Sequence, residues 1–153
     1  MILQYYKLHS AAKTPIRSNP SDAGLDVFFC PGPNKPKEIE IRPQSSILLG
    51  TGLKFGVPHG YMLEVKNRSS VASKMQLLVG ACVIDPGYDG EVFINLHNVG
   101  SRTRKVSSGD KIAQIVMVPV IHFKPSEVTT DDLYGDDICI SNRGADGFGS
   151  TGS

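Results

Sequence analysis

"EVFINLH", residues 91–97, places Val92, Ile94 and Leu96 on alternate positions, with Glu91, Phe93, Asn95 and His97 on the other set. An extended chain sends successive side chains to opposite faces, so this spacing makes one apolar face. A helix would scatter the same residues around its axis. "EIEIR" (38–42) and "YMLEVK" (61–66) repeat the pattern. The turn-forming clusters "PGPNKP", "VPHG", "DPGYDG" and "SSGD" separate these segments from other short apolar pieces. Many short strands punctuated by turns predict an all-β fold, a barrel or sandwich. "IAQIVMVPVI" (112–121) is more continuously apolar and predicts a strand buried on both faces, at a subunit contact.

One stretch departs from the pattern. "SSVASKMQ" (69–76) reads as a helix of about two turns, with Ser69 or Ser70 as cap and Val71, Lys74 and Met75 sharing a face. A helix this short is marginal alone and has to be held by packing. After Phe123 the composition turns polar, with acidic pairs at Asp131–Asp132 and Asp136–Asp137. The expected organisation is a β domain over residues 1–123 and an extension with a flexible arm over 124–153. Val128, Leu133, Ile138 and Ile140 supply enough apolar character for one small strand in that extension. The last eleven residues, "RGADGFGSTGS", cannot bury enough surface to offset an ordering cost of about 1–2 kcal/mol per residue.

The chain has 153 residues, enough for one domain with a real core, and a formal net charge of +1. That balance gives no electrostatic reason to expect nucleic acid or a membrane surface as partner, so an anionic ligand has to be held by a local cluster. Cys30, Cys82 and Cys139 follow no pairing pattern, and "MILQYYKLHS" lacks the features of a signal peptide. Both point to an intracellular protein.

Several short constellations carry chemistry. In "NRSSVASK" (67–74), Arg68 precedes two serines where a helix begins, an arrangement suited to phosphate. Taken alone it equally describes a capped helix beside a solvated arginine. "VIDPGYDGEV" (83–92) reads as a β-hairpin with a tight loop. There Asp85 is either a general base at a strand end or a turn residue, and Tyr88 is placed to wall off a ligand. "SDAGLDVFF" (21–29) offers Asp22 and Asp26, either as water-mediated Mg²⁺ ligands or as turn formers. Gln114 is a polar residue inside an apolar run and needs partners from the backbone or a ligand. His9, His59, His97 and His122 lack zinc-ligand spacing.

Taken together, "AGLDV" (23–27), "RSSVASK" (68–74), "ACVIDPGYDGEV" (81–92), "GDKIAQI" (109–115) and "RGADGFGSTG" (143–152) resemble, in order and spacing, the five motifs of the trimeric dUTPases. The resemblance implies a jelly-roll-like β subunit with one short helix. It implies a homotrimer whose C-terminal arm is exchanged to close a neighbour's site, and Mg²⁺-dependent hydrolysis of dUTP to dUMP and pyrophosphate. By position, Asp85 would activate the water that attacks the α-phosphorus. Tyr88 would pack on the deoxyribose, and the backbone around Cys82, Val83, Ile84 and Phe93 would read the uracil. Arg68, Ser69, Ser70 and Gln114 would contact phosphate. From the arm, Arg143 would meet the γ-phosphate, Phe148 would stack on the base, and Gly149, Ser150 and Thr151 would wrap the phosphate chain. Asp26 would reach the metal through water at most. Cys82, Asp146 and Val27 depart from the residues usual in the family. The sibling dCTP deaminases carry a catalytic glutamate where this chain has Asn95, which argues against deamination.

Overall fold

A computed structural model of the chain describes residues 1–130 and Leu133. It separates into one unit over Met1–His122 and another over Phe123–Ser153. The first unit carries, in chain order, β1 (Gln4–Lys7), β2 (Leu25–Phe28), β3 (Glu38–Ile41), β4 (Ser46–Gly50), β5 (Leu53–Gly56), β6 (Tyr61–Lys66), α1 (Ser69–Met75), β7 (Leu77–Val79), β8 (Val83–Ile84), β9 (Phe93–Asn98), β10 (Arg104–Ser107) and β11 (Lys111–Pro119). In the second unit, residues 123–130 and Leu133 form no helix or strand.

The strands pair antiparallel throughout, as β2-β11-β6-β8, β4-β9-β7, β1-β5 and β3-β10. Alternation decides which side chains enter the core. Leu63 and Val65 of β6, Ile94 and Leu96 of β9, and Val27 of β2 are all buried. Ile41, Leu49, Leu53, Val106, Ile112 and Ile115 join them in one cluster. Each such side chain stabilises the fold by about 1.5–3 kcal/mol on burial. Asn98 is buried but satisfied: its amide donates to the carbonyls of Ile41 and Arg102 at 2.8 Å, and its Oδ1 accepts the Gly100 N–H. The end of β9 is thereby fastened to β3 and to the turn before β10.

Three local expectations change. Residues 83–92 are not a hairpin: β8 pairs with β6 (Leu63↔Ile84, Glu64↔Val83), whereas β9 pairs with β4 and β7. The segment therefore crosses from one sheet to another. Its entry is fixed by the Val65 N–H bonding the Cys82 carbonyl at 2.7 Å. The antiparallel partner preceding β9 is β7, whose ladder continues through the Gly80 N–H to the Asn95 carbonyl at 2.9 Å. Alternation reports which face a strand buries and is silent about its neighbour.

In α1 the N-cap is Arg68, with extended backbone and no side-chain cap bond, so the two serines lie inside the first turn. The helix stops at Gln76, which takes the left-handed conformation (φ 55°) and returns its N–H to the last turn. Val71 is buried and Met75 packs against the core, while Lys74 is exposed. β11 is fully buried only at Ile112, Ala113 and Ile115; from Val116 to Val118 it is half-buried within the chain.

Candidate active site

Ile84 is buried and anchors the end of β8, so the chain emerges at the surface with Asp85, which is exposed. Pro86 and Gly87 then make a tight turn, closed by the Tyr88 N–H on the Asp85 carbonyl at 3.3 Å. Gly87 has φ +86°, a conformation a side chain would strain, and proline followed by glycine suits a type II turn. The turn carries Asp85 and Tyr88 to the rim of a cavity of about 320 Å³. Val65, Val83, Ile84, Val92 and Phe93 line it, with Leu48 and Ala81 completing the wall. Val83, Tyr88, Phe93 and Leu48 are 54%, 48%, 42% and 62% exposed. So many exposed apolar side chains around one carboxylate make a surface suited to a flat apolar ligand with a polar group beside the carboxylate.

Asn95 lies on β9 on the same face as Phe93. Its Oδ1 meets His97 Nε2 at 2.8 Å and the Ala81 N–H at 3.4 Å, and its amide donates to the Ile47 carbonyl. Gly80 makes room for that group: a Cβ there would lie 2.2 Å from Asn95 Oδ1 and 2.4 Å from His97 Nε2.

A second cluster forms around Asp26. β2 buries its side chain to 8% exposure, and both oxygens are engaged. Arg68 Nε donates to Oδ1 at 2.9 Å, and Lys111 Nζ meets Oδ2 at 2.7 Å. Ser18 Oγ donates to Oδ2 at 3.0 Å. Burial is the largest single influence on this carboxyl and opposes its ionisation. The hydrogen bonds from Lys111, Arg68 and Ser18, with the charge of Arg68, together outweigh it and hold the pKa below the ordinary carboxylate value. Two cations thus share the Asp26 carboxylate, and Asp110 is the other carboxylate beside them. Arg68 extends toward α1, where its Nη1 donates to Ser70 Oγ at 3.1 Å. Arg68, Ser70, Asp110 and Lys111 line a cavity of about 390 Å³ whose floor includes Val71, Leu77 and Leu96.

Asp22 plays a local part, accepting the N–H and side-chain amide of Asn19. Gln114 is half-buried rather than buried and donates to the Asn67 carbonyl at 3.0 Å, tying β11 to the residue before Arg68. Asn67 in turn accepts the Val79 N–H.

Asp85, Tyr88, Val83, Ile84 and Phe93 thus share one cavity, and Arg68 and Ser70 another. Ser69 is exposed on the first turn of α1. Cys82 is half-buried, with its carbonyl taken by Val65. Arg143, Phe148, Gly149, Ser150 and Thr151 lie outside the described residues, as does Asp146. Sequence reading passed over Lys111 and Ser18 as partners of Asp26. A lysine opening an otherwise apolar strand was the available signal for Lys111.

The dUTPase family model matches residues 10–152 of the chain. Among curated relatives, the deoxyuridine 5'-triphosphate nucleotidohydrolase of Fowlpox virus (strain NVSL) is 36% identical over 147 residues, covering 96% of this chain and 94% of the relative. The enzyme of the same name from Clostridium novyi (strain NT) is 35% identical over 154 residues, covering 99% of each. Among solved structures, a mutant dUTPase of Staphylococcus bacteriophage 80alpha with dUpNHpp superposes with a TM-score of 0.83 at 26% identity, covering 99% of both chains. A mutant dUTPase from phage phi11 of S. aureus, described for its coordination of a structural Mg(II) ion, gives 0.76 at 26% identity, covering 86% of this chain and 99% of that one.

Proposed function

Because the chain belongs to the dUTPase family, we propose that it hydrolyses dUTP to dUMP and pyrophosphate through a water activated by Asp85. The observation that carries this reading is the placement of the Asp85 carboxylate at the rim of an apolar cavity walled by Tyr88, Val83 and Phe93. A uracil and its deoxyribose fit such a cavity with the α-phosphorus toward the carboxylate. Asp85 holds a water in line with the α-phosphorus and takes its proton as the new P–O bond forms; the α–β bridge oxygen leaves with pyrophosphate. General-base assistance of this kind contributes about 10²–10⁴-fold.

Tyr88 packs on the sugar, and the backbone of Cys82, Val83, Ile84 and Phe93 reads the base edge. Arg68, Ser69 and Ser70 bind phosphate oxygens, with Gln114 aiding through its hold on Asn67. Asp26 serves this set by fixing the guanidinium of Arg68, and Lys111 holds the other oxygen of Asp26. Arg143, Phe148, Gly149, Ser150 and Thr151 complete the site from the arm, within an organisation of residues 1–123 as β domain and 124–153 as extension and arm.

Mg²⁺ suits this site as a companion of the triphosphate. Among the described residues no three His, Cys, Asp or Glu side chains converge, and both Asp26 oxygens already have cationic partners. Asp26 thus fits a contact through water at most. When bound, the ion neutralises charge developing on the phosphate oxygens. The reading includes a homotrimer whose sites draw on more than one subunit, in keeping with the Asp85 and Arg68 groups lining separate cavities of one chain. No helix among the described residues is long and apolar enough to cross a membrane. The intracellular placement in this reading rests on the sparse cysteines with no pairing pattern. Asn95 is committed to His97 and Ala81, which favours hydrolysis over deamination.

The test is pyrophosphate release from a panel of dUTP, dCTP, dTTP and UTP. Strong preference for dUTP supports the proposal, and preference for any other member refutes it.

A further inference from the structure

Tyr88 does more than border the cavity. Its hydroxyl donates to the Glu91 carbonyl at 2.8 Å, which ties the tip of the ring back to its own turn. Gly90 permits this fold-back: a Cβ there would lie 2.6 Å from the Tyr88 hydroxyl and 2.7 Å from its ring carbon Cζ. Glu91 is itself fastened. Its Oε1 accepts the Gly52 N–H at 2.8 Å, across 39 residues of sequence. Gly50 leaves the space, since a Cβ there would meet the same oxygen at 2.6 Å. The next residue is tied as well: the Val92 N–H bonds the Leu53 carbonyl at 2.8 Å, and the Val92 carbonyl accepts the buried Thr51 hydroxyl at 2.7 Å. Neither Gly50 nor Gly90 has positive φ, so both are explained by room rather than by backbone conformation.

We infer that Glu91 is a positioning residue that locks the Tyr88 ring against the turn between β4 and β5, and that this lock sets discrimination against ribonucleotides. The inference rests on the dUTPase reading and on Tyr88 facing the sugar. An apolar wall alone rejects an added hydroxyl by only about 10²-fold. Stronger rejection of UTP requires a ring that cannot yield to the 2′-hydroxyl, and the chain from Gly52 through Glu91 to Tyr88 supplies that rigidity. The outer Lys54–Asp89 pair, with Asp89 84% exposed, contributes little to it.

The experiment compares kcat/KM for dUTP and UTP, with Mg²⁺, in the full chain and in Glu91→Ala, Glu91→Gln, Tyr88→Phe and Asp89→Ala. Glutamine keeps the acceptor for Gly52. The dUTP/UTP ratio is expected to fall by about tenfold or more in Glu91→Ala and Tyr88→Phe, and to stay within about threefold in Glu91→Gln and Asp89→Ala. Should Glu91→Ala fail to fold, Glu91→Asp, whose shorter side chain draws the carboxylate back from the Gly52 N–H, takes its place, while Tyr88→Phe tests the hydroxyl's own bond to the Glu91 carbonyl. A proportional loss on both substrates, an unchanged ratio in Tyr88→Phe, or an equal fall in Glu91→Gln overturns the inference. Absence of dUTP hydrolysis by the unaltered chain refutes instead the reading on which it rests.

Discussion

Replacing Asp26 with asparagine removes the counter-charge that holds Arg68 and Lys111 together. Asparagine fills the same space but brings an amide donor toward two cations. Removing one partner from a buried ion cluster costs about 3–5 kcal/mol. Arg68 and Lys111 keep 29% and 30% of their side-chain surface, so solvent screens part of that. The expected loss is therefore about 1–3 kcal/mol near neutral pH. Urea unfolding at fixed protein concentration reads it directly, and a pH series distinguishes charge from packing. The folded-state pKa of Asp26 lies below its ordinary value of 3.8, so the unfolded chain takes up the proton first as pH falls. The stabilisation is complete above about pH 5 and disappears as pH drops through the lowered folded value. Asp26→Asn lacks this titration, so its deficit relative to the unaltered chain should shrink steadily below about pH 5. A deficit that stays constant down to acid pH, or no deficit at neutral pH, would refute the electrostatic account of the cluster.

Three further outcomes are expected. Asp85→Asn should lower kcat for dUTP by at least about 10²-fold while a non-hydrolysable dUTP analogue still binds by calorimetry, and near-normal turnover would remove Asp85 from the mechanism. Deleting residues 143–153 should leave the circular dichroism spectrum and thermal midpoint nearly unchanged but sharply reduce dUTP turnover; a lost thermal transition would make the segment structural instead. Gly80→Ala places a Cβ against the side-chain ends of Asn95 and His97, and because His97 is exposed and can swing aside the loss in thermal unfolding should stay within about 1 kcal/mol, whereas a much larger loss would show that the Asn95–His97 contact cannot yield.

The strand at 61–66 was legible because alternation of burial is written directly into "YMLEVK". The partner of each strand was not. β8 and β9 look like the two arms of a hairpin in sequence, yet β8 joins β6 through the Val65–Cys82 bond, and that choice depends on residues far along the chain. The helix at 69–75 was readable from its period, but its cap was not. Arg68 takes the N-cap place with φ −82° and ψ 131°, and its side chain is drawn to Asp26, 42 residues away. Local rules favour a serine at such a boundary, and a long-range ion pair overrides them. The turn carrying Asp85 and Tyr88 announces itself through Pro86 and Gly87, whereas the supports of Tyr88 come from Gly50 and Gly52, which no local pattern connects to it.

Hydrolysis of dUTP in water enriched in ¹⁸O, followed by mass spectrometry of both products, tests the central claim most directly. Attack on the α-phosphorus by a water held at Asp85 places one labelled oxygen in dUMP and none in pyrophosphate. Label in pyrophosphate with unlabelled dUMP would mean attack at the β-phosphorus and would contradict the account.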